Sequence, residues 1–475
     1  MPTQPDIIFI MLDTVRADAL GTYGGRRLPN IDGLARKSMV FDNAVAPGTY
    51  TLPSHLSIFL GKRPRSIKAL MKDNMKNYNE KTDPFLKKST YVKGNEITLA
   101  KHLSYIGYRT ALFSNNPFLS PYGGTSSGFS YLDNKFVENK IIGSNIPLRM
   151  LLGMINNNFT RNGIVRVASE LSKVFPKSAM DRLYIALRKE VDRHYSKVCG
   201  YYNMDSGAVG TNERIREYLD VNRGRKDFLF VNYMEGHEGY PTNMVDEKET
   251  IQDKWLHMIG YSSTHDAMVE KEAYLKRIEY LDRRVADLLG ILKAKGRLDD
   301  AYVIIASDHG QAFMEHGQMY HNVFPYNEVV KVPLIISRFE GGRQQDCRKR
   351  IAQPFSLTRL NGMMVEMGYG KGINVNAIAE DTVVSDHLGI TEVWDTYLLK
   401  LIRSRSEHAD MVYRKKRYFN NFATAVFSNG HKLIHFYGKK QDELYSMDDA
   451  SEENDILQKN RDLARSILAK SFAVA

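Results

Sequence analysis

The chain has 475 residues, 43% hydrophobic and 25% charged, a composition that excludes disordered and fibrous classes and leaves an ordinary globular protein. Its formal charge of +11 points to an anionic partner (an ester, a nucleic acid or an acidic membrane surface) without choosing among them. The two cysteines, Cys199 and Cys347, are too few for a disulfide framework, no run approaches the roughly 18 apolar residues of a membrane span, and Met1 to Pro5 lacks the basic start of a signal peptide, so the expected compartment is the cytoplasm.

Ile7 to Leu12 is a continuous apolar run ending at Asp13, which predicts a strand buried on both faces. Pro29 to Ala35 opens a helix, and Met39 to Phe41 reads as a short strand. In Ala46-Pro-Gly-Thr-Tyr-Thr-Leu-Pro-Ser-His55, Pro53 suits the first residue of a helix that Gly61 stops, which places Thr51 just before the helix N-terminus. A polar, lysine-rich segment from Lys62 to Lys93 precedes a helix near Ile97 to Ile106 and a strand over Arg109 to Phe113.

From about Phe136 to Gly210, apolar residues recur at helical spacing (Ile164, Val167, Leu171 and Val174) with Lys and Arg opposite, which predicts a basic helical insertion. Its charged face suits solvent or a membrane surface. Phe228 to Tyr233 and Ala301 to Ala306 are further buried strands, separated by a long helix from about Lys271 to Lys295, and Val332 to Ile336 is one more short strand. Strands alternating with helices predict an α/β, doubly wound, mostly parallel sheet flanked by helices. The expected division is a catalytic domain over residues 1–375 and a smaller C-terminal α+β domain over 376–475, with strands at Ala423 to Phe427 and Lys432 to Phe436 and a helix from about Glu453 to Phe472.

The strand candidates end in Asp13, Asn115, the Glu235/His237 loop and Asp308-His309. Ligands of open α/β sheets sit beyond the carboxyl ends of the strands, so these residues should converge on one rim. Two carboxylates and an imidazole make a mixed O/N site suited to one divalent ion, Zn²⁺ or Mn²⁺ by preference, with Mg²⁺ or Ca²⁺ as alternatives. Thr51 at a helix start fits a cap or a nucleophile; a metal beside it would activate its hydroxyl. His237 and His321 then suit proton donation to a leaving group or contact with a non-bridging oxygen. His316, next to Glu315, fits an assisting role or a structural pairing.

Five motifs in order, Pro5-Asp-Ile-Ile-Phe-Ile-Met-Leu-Asp-Thr-Val-Arg-Ala-Asp18, Thr51-Leu-Pro-Ser-His55, Gly107-Tyr-Arg-Thr110, Asn232-Tyr-Met-Glu-Gly-His237 and Ser307-Asp-His-Gly310, resemble those of the sulfatase family in the alkaline phosphatase superfamily. The likeness covers roughly residues 5 to 340, and His431-Lys-Leu-Ile434 followed by Glu443-Leu-Tyr445 resembles a sulfatase ending. It implies metal-dependent cleavage of sulfate or phosphate esters through a covalent intermediate. Carried over by position, Asp13, Asp308 and His309 match metal ligands, Thr51 the nucleophile and fourth ligand, and His237 a substrate-site histidine. Asn115 and His321 fall where many members have lysine. His55 replaces the arginine of a C/S-x-P-S-R motif; with Thr51 in the first position, conversion to formylglycine is not possible.

The Thr, Asp and His set is similar to the phosphodiesterases and the phosphoglycerol and phosphoethanolamine transferases of that superfamily. The leading expectation is a one-metal hydrolase of phosphoesters or phosphodiesters, with sulfate esters less favoured. The alternatives are a transferase acting on a lipid-linked or polysaccharide substrate and a non-catalytic binding protein that keeps the fold. Thr51, His237 and His321 are the expected catalytic groups and Asn115, His55 and His316 the expected substrate contacts. No nucleic-acid module is recognisable.

Overall fold

The computed structural model describes residues 4–67, 96–119, 125–134, 204–238, 264–374, 381–389, 409–438 and 441–474. The basic segment expected at 136–210 lies outside them up to residue 203, and so does the lysine-rich stretch from 68 to 95.

Strand β1 (Asp6–Leu12) is buried along its whole length. Its side chains alternate between two cores: Ile8, Ile10 and Leu12 join one apolar cluster, and Ile7, Phe9 and Met11 the other. An unbroken apolar run demands cover on both faces, because successive side chains of a strand point to opposite sides. Among the described residues up to 360, the other strands are β2 (Met39–Val45), β3 (Arg109–Ser114), β4 (Tyr131–Asn134), β5 (Asp227–Tyr233), β6 (Asp300–Ala306), β7 (Ala312–Phe313), β8 (Met319–Tyr320), β9 (Leu334–Glu340), β10 (Arg343–Gln344) and β11 (Lys349–Ser356).

The main sheet has the order β11-β2-β9-β6-β1-β5-β3-β4, with β10 beside β9. Its centre is parallel, with Phe9 opposite Phe230 on one side and Ile304 on the other. One core is closed by the Thr264–Ala294 helix through Tyr274, Ile278, Leu281 and Val285. The other is closed by the Leu99–Tyr105 and Leu360–Gly368 helices through Leu103, Leu360 and Met364.

β9, expected from Val332 to Ile336, runs antiparallel to both β6 and β2. Between β6 and β9 the longest helix is Asn327–Val330, too short for the crossover that a parallel return requires. The helix expected to begin at Pro53 spans Thr51–Leu60, with Gly61 in the left-handed conformation at φ 63 as its stop. Thr51 is therefore its first residue, and Pro53 its third. Proline is tolerated there because the first N–H groups of a helix have no intrahelical partner.

A second sheet, β12 (Thr382–His387), β13 (Ala423–Ser428), β14 (His431–Phe436) and β15 (Glu443–Ser446), is antiparallel in that order. Residues 1–134 and 205–475 group into one compact unit. The last helix, Arg461–Ser471, starts later than the pattern predicts. The residues before it are bonded to β15 instead: Asp455 accepts from the Leu444 amide at 3.0 Å, and the Ile456 amide donates to the Leu444 carbonyl at 2.8 Å. Among the described residues no helix is long and apolar enough to cross a membrane.

His387, at the end of β12, ties the second sheet to the turn before the Thr51–Leu60 helix and to the end of the Ala409–Phe419 helix. Its Nε2 donates to the Phe419 carbonyl at 2.8 Å, which leaves Nδ1 to accept from the Thr49 hydroxyl at 2.9 Å. Burial pushes this imidazole down from 6.5 to about 4. The unfolded chain therefore takes up a proton that the folded one refuses, and stability falls as pH drops from about 6.5 to about 4, by about 3 kcal/mol for this group. Asp6 and Glu235, raised mainly by burial to about 6 and about 7, act with the opposite sign. The measurement is thus a difference: His387→Asn should destabilise the protein at neutral pH, and that penalty should shrink on acidification. An unfolding-midpoint gap independent of pH would refute it.

Candidate metal and nucleophile site

Four neighbouring strands of the main sheet deliver the site. Asp13 follows β1, Asp308-His309 follows β6, Glu235 to Glu238 follows β5, and Asn115-Asn116 follows β3. Each leaves its strand at the same end, because these four strands are parallel. The convergence expected from the sequence is a property of that topology.

Asp13, Asp308 and His309 are each 0% exposed, and one ligand atom from each lies within 4.8 Å of the others. Oδ2 of Asp13 accepts from Asn116 at 2.8 Å and Asn232 at 3.2 Å, while Oδ1 has no partner. Oδ1 of Asp308 accepts from the amides of His309 at 3.0 Å and Thr14 at 3.2 Å, while its Oδ2 has no hydrogen-bond partner. Nδ1 of His309 donates to the Gly310 carbonyl at 2.9 Å, so Nε2 carries a lone pair, and it faces Oδ2 of Asp308 at 3.3 Å. Three buried acceptors therefore face one another without a proton between them. That arrangement is stable around a cation and unfavourable without one, so the residues fit a divalent ion.

Electrostatics agrees with the geometry. Burial, with His321 adding to it, pushes His309 down from 6.5 to about 3, which keeps its nitrogen free to ligate. Burial and then the Asp308 charge raise Asp13 above the usual carboxylate range, as expected of like charges crowded together.

Thr51 stands beside this cluster, 3% exposed, with its Oγ1 3.4 Å from Nε2 of His309. Neighbouring bonds fix its turn: the Asn322 amide donates to the Thr49 carbonyl at 2.8 Å, and Oγ of Ser54 donates to the Gly48 carbonyl at 3.0 Å. Two glycines of the motifs are required by close approach. A Cβ on Gly236 would lie 2.4 Å from the Asp13 carbonyl oxygen, and one on Gly310 would lie 2.1 Å from that of Glu328.

His237 and His321 form the outer wall, their rings 5.0 Å apart, and His321 lies 4.6 Å from the ring of His309. Glu238, which no sequence motif singles out, holds both: its Oε2 lies 3.1 Å from Nδ1 of His237 and 3.2 Å from that of His321. Burial disfavours the Glu238 anion, yet the two histidines outweigh it and hold the carboxylate well below its usual range. In the same way burial disfavours the His321 cation, but Glu238, Asp13 and Asp308 outweigh it and shift His321 upward.

The other expected residues have different surroundings. His55 is fully buried between Phe59 and Phe230; its Nδ1 donates to the Thr51 carbonyl at 2.9 Å and lies 3.4 Å from Oδ2 of Asp308. It braces the turn that carries Thr51. Asn115 turns to the Ser206 carbonyl at 3.2 Å, and its neighbour Asn116 faces the cluster. His316 stacks on Tyr326 at 3.9 Å, with Nδ1 3.1 Å from Glu328 and Nε2 3.3 Å from the Glu452 carbonyl. Its partner is Glu328; Glu315 pairs with Arg16 and Lys271.

A mostly parallel α/β sheet with a buried acceptor cluster and a hydroxyl at its strand ends defines an alkaline phosphatase-like protein. Within that class the sulfatase family model matches residues 5–360, and the chain belongs to the sulfatase family. It is 23% identical over 366 residues to an N-acetylglucosamine-6-O-sulfatase of Bacteroides thetaiotaomicron, covering 70% of this chain and 62% of that protein. It is 22% identical over 368 residues to human iduronate 2-sulfatase, covering 70% and 59%. The chain thus spans about three fifths of the length of these relatives. Two solved structures share the fold: a 2-O GAG sulfatase (TM-score 0.62, 16% identity, 99% of this chain and 91% of that one) and a phosphonate monoester hydrolase of Agrobacterium radiobacter (TM-score 0.59, 14% identity, 99% and 95%).

Proposed function

We propose that this chain is a metal-dependent hydrolase that cleaves a phosphoester or phosphodiester, with sulfate esters as poorer substrates, through a covalent ester on Thr51. The observation that carries the reading is the buried Thr51 hydroxyl, 3.4 Å from His309 in the mutually facing acceptor cluster of Asp13, Asp308 and His309. A divalent ion held by those three residues and the Thr51 oxygen would supply Lewis-acid stabilisation of negative charge on the nucleophile and the phosphoryl group.

The chain's own groups account for the remaining steps. Thr51 Oγ forms a bond to phosphorus as the bond from phosphorus to the leaving oxygen breaks. The departing oxygen takes a proton from His321 or His237, and the proton lost by Thr51 restores that imidazole. Glu238 orients His321 and shifts it toward its charged form for this purpose. Water then adds to phosphorus, the P–Oγ bond breaks, and one water proton returns to Thr51. The Thr51 carbonyl, anchored by His55, holds the nucleophile turn still throughout.

The test is a panel of aryl sulfate, phosphate monoester, phosphodiester and phosphonate esters, each with Zn²⁺, Mn²⁺, Mg²⁺ and Ca²⁺. Turnover of the phosphorus esters with Zn²⁺ or Mn²⁺ and its loss on chelation are expected. A preference for aryl sulfate would sink the assignment of Thr51. Adding an alcohol tests transfer, since the same intermediate passed to an alcohol gives a new ester in place of free product.

A further inference from the structure

Asp13 reaches the cluster by an asymmetric arrangement that the proposed chemistry does not explain. Both hydrogen bonds to its carboxylate fall on Oδ2, and both come from side-chain amides, Asn116 at 2.8 Å and Asn232 at 3.2 Å. Neither amide is free to turn round. The Asn232 carbonyl oxygen accepts from the Ser114 hydroxyl at 2.9 Å, so its NH₂ must face Asp13. The Asn116 carbonyl oxygen accepts from the Phe118 amide at 2.9 Å, with the same result. Ser114 closes the loop by accepting from the Asn116 amide at 2.9 Å.

Topology builds this unit. Ser114 and Asn232 are register partners on the adjacent parallel strands β3 and β5, and the Asp13 amide donates to the carbonyl of Tyr233, one residue beyond Asn232, at 2.9 Å. Asp13, Ser114 and Asn232 are 0% exposed and Asn116 is 1% exposed, so water does not substitute for any of these bonds. Asparagine and serine at the buried ends of apolar strands are costly unless their bonds are made, and here every one is spent on fixing a single carboxylate.

We infer that Ser114, Asn116 and Asn232 form an amide clamp that selects which oxygen of Asp13 meets the cation, and that the two asparagines are positioning residues for metal binding. Holding Oδ2 leaves Oδ1, the buried oxygen without a hydrogen-bond partner, free to meet a cation in the Asp13, Asp308 and His309 cluster. The inference rests on the metal reading proposed above. Removing outer partners of a ligand typically weakens metal affinity or activity about 10–100-fold.

The experiment is calorimetric titration of the full-length protein with Zn²⁺ and with Mn²⁺ alone, for wild type, Asn232→Leu, Asn116→Leu and Ser114→Ala. Leucine keeps the approximate volume while deleting the donor. Each leucine variant should bind about 10-fold or more weakly, and kcat should recover at saturating metal with KM for the ester unchanged. A misfolded core would instead lower the folded fraction and leave the affinity of what remains intact. Ser114→Ala retains both side-chain amides while releasing the Asn232 side chain and the Asn116 backbone amide, so a several-fold loss of affinity is expected. If the leucine variants do not fold, the serine variant alone decides between clamp and no clamp. Affinities equal to wild type overturn the clamp while leaving the metal site standing. A wild-type protein that binds neither ion overturns the metal reading and the clamp with it.

Discussion

Thr51→Ala is expected to lower turnover of an activated phosphodiester by at least about 10⁴-fold while leaving the unfolding midpoint nearly unchanged. That split separates the two roles a threonine at a helix start can have. A capping threonine replaced by alanine costs about 1 kcal/mol of stability and no chemistry. Thr51 makes no such cap: Tyr50 is the N-cap residue, without a side-chain bond to the helix, and the Thr51 hydroxyl contacts His309 at 3.4 Å. Deleting that oxygen removes little that holds the fold together and the whole of the proposed nucleophile. Thr51→Ser, which keeps the hydroxyl, should stay within about tenfold of wild type. Mass spectrometry after brief incubation should find the ester adduct on the wild-type protein and none on the alanine variant. Full activity of Thr51→Ala would remove the covalent mechanism.

The cluster of Asp13, Asp308 and His309 is readable in the sequence because each of these residues follows an apolar run. Ile7 to Leu12 can only be a buried strand, so Asp13 has to emerge at its end, and Ala301 to Ala306 does the same for Asp308 and His309. What holds these side chains in place is not readable. Asn232 lies inside a strand that otherwise looks like core, and nothing local says that its amide reaches a residue 219 positions away. Glu238 is hidden in the same way, since its contact with His321 depends on the loop after β6 folding back. Asn115 illustrates the finer limit: of two adjacent asparagines, the side of the chain each faces depends on the turn after β3, and the site contact falls to Asn116.

Strand content is legible where burial is complete and fades where it is not. β11 mixes exposed and buried residues without a regular alternation and carries Pro354 at an irregular register with β2, so its pattern is weak, although it belongs to the main sheet. The last helix begins later than its pattern suggests because acidic residues that suit a first helical turn, such as Asp455, are used to bond β15.

Lys432→Met should cost about 3–5 kcal/mol, and a second change, Glu452→Gln, should recover most of it. Lys432 lies on β14, 1% exposed, with Nζ 2.6 Å from Glu452 and 3.1 Å from Asn327. Glu452, 2% exposed, accepts from the Asn327 amide at 2.7 Å through its other oxygen. Burial pulls the lysine down and, with Glu328 adding to it, pushes the glutamate up, so each depends on the other to stay charged. Methionine would leave Glu452 as an unpaired buried carboxyl, whereas glutamine keeps the acceptor for Asn327 without the charge. The pair also braces the segment before the Asn327–Val330 helix, because the Glu452 carbonyl lies 3.3 Å from His316 and Lys432 and Glu452 both bond Asn327. The single variant should therefore lose several degrees of unfolding midpoint, and the double variant should regain most of them. A double variant as unstable as the single one would show that Lys432 acts through packing, with its charge irrelevant.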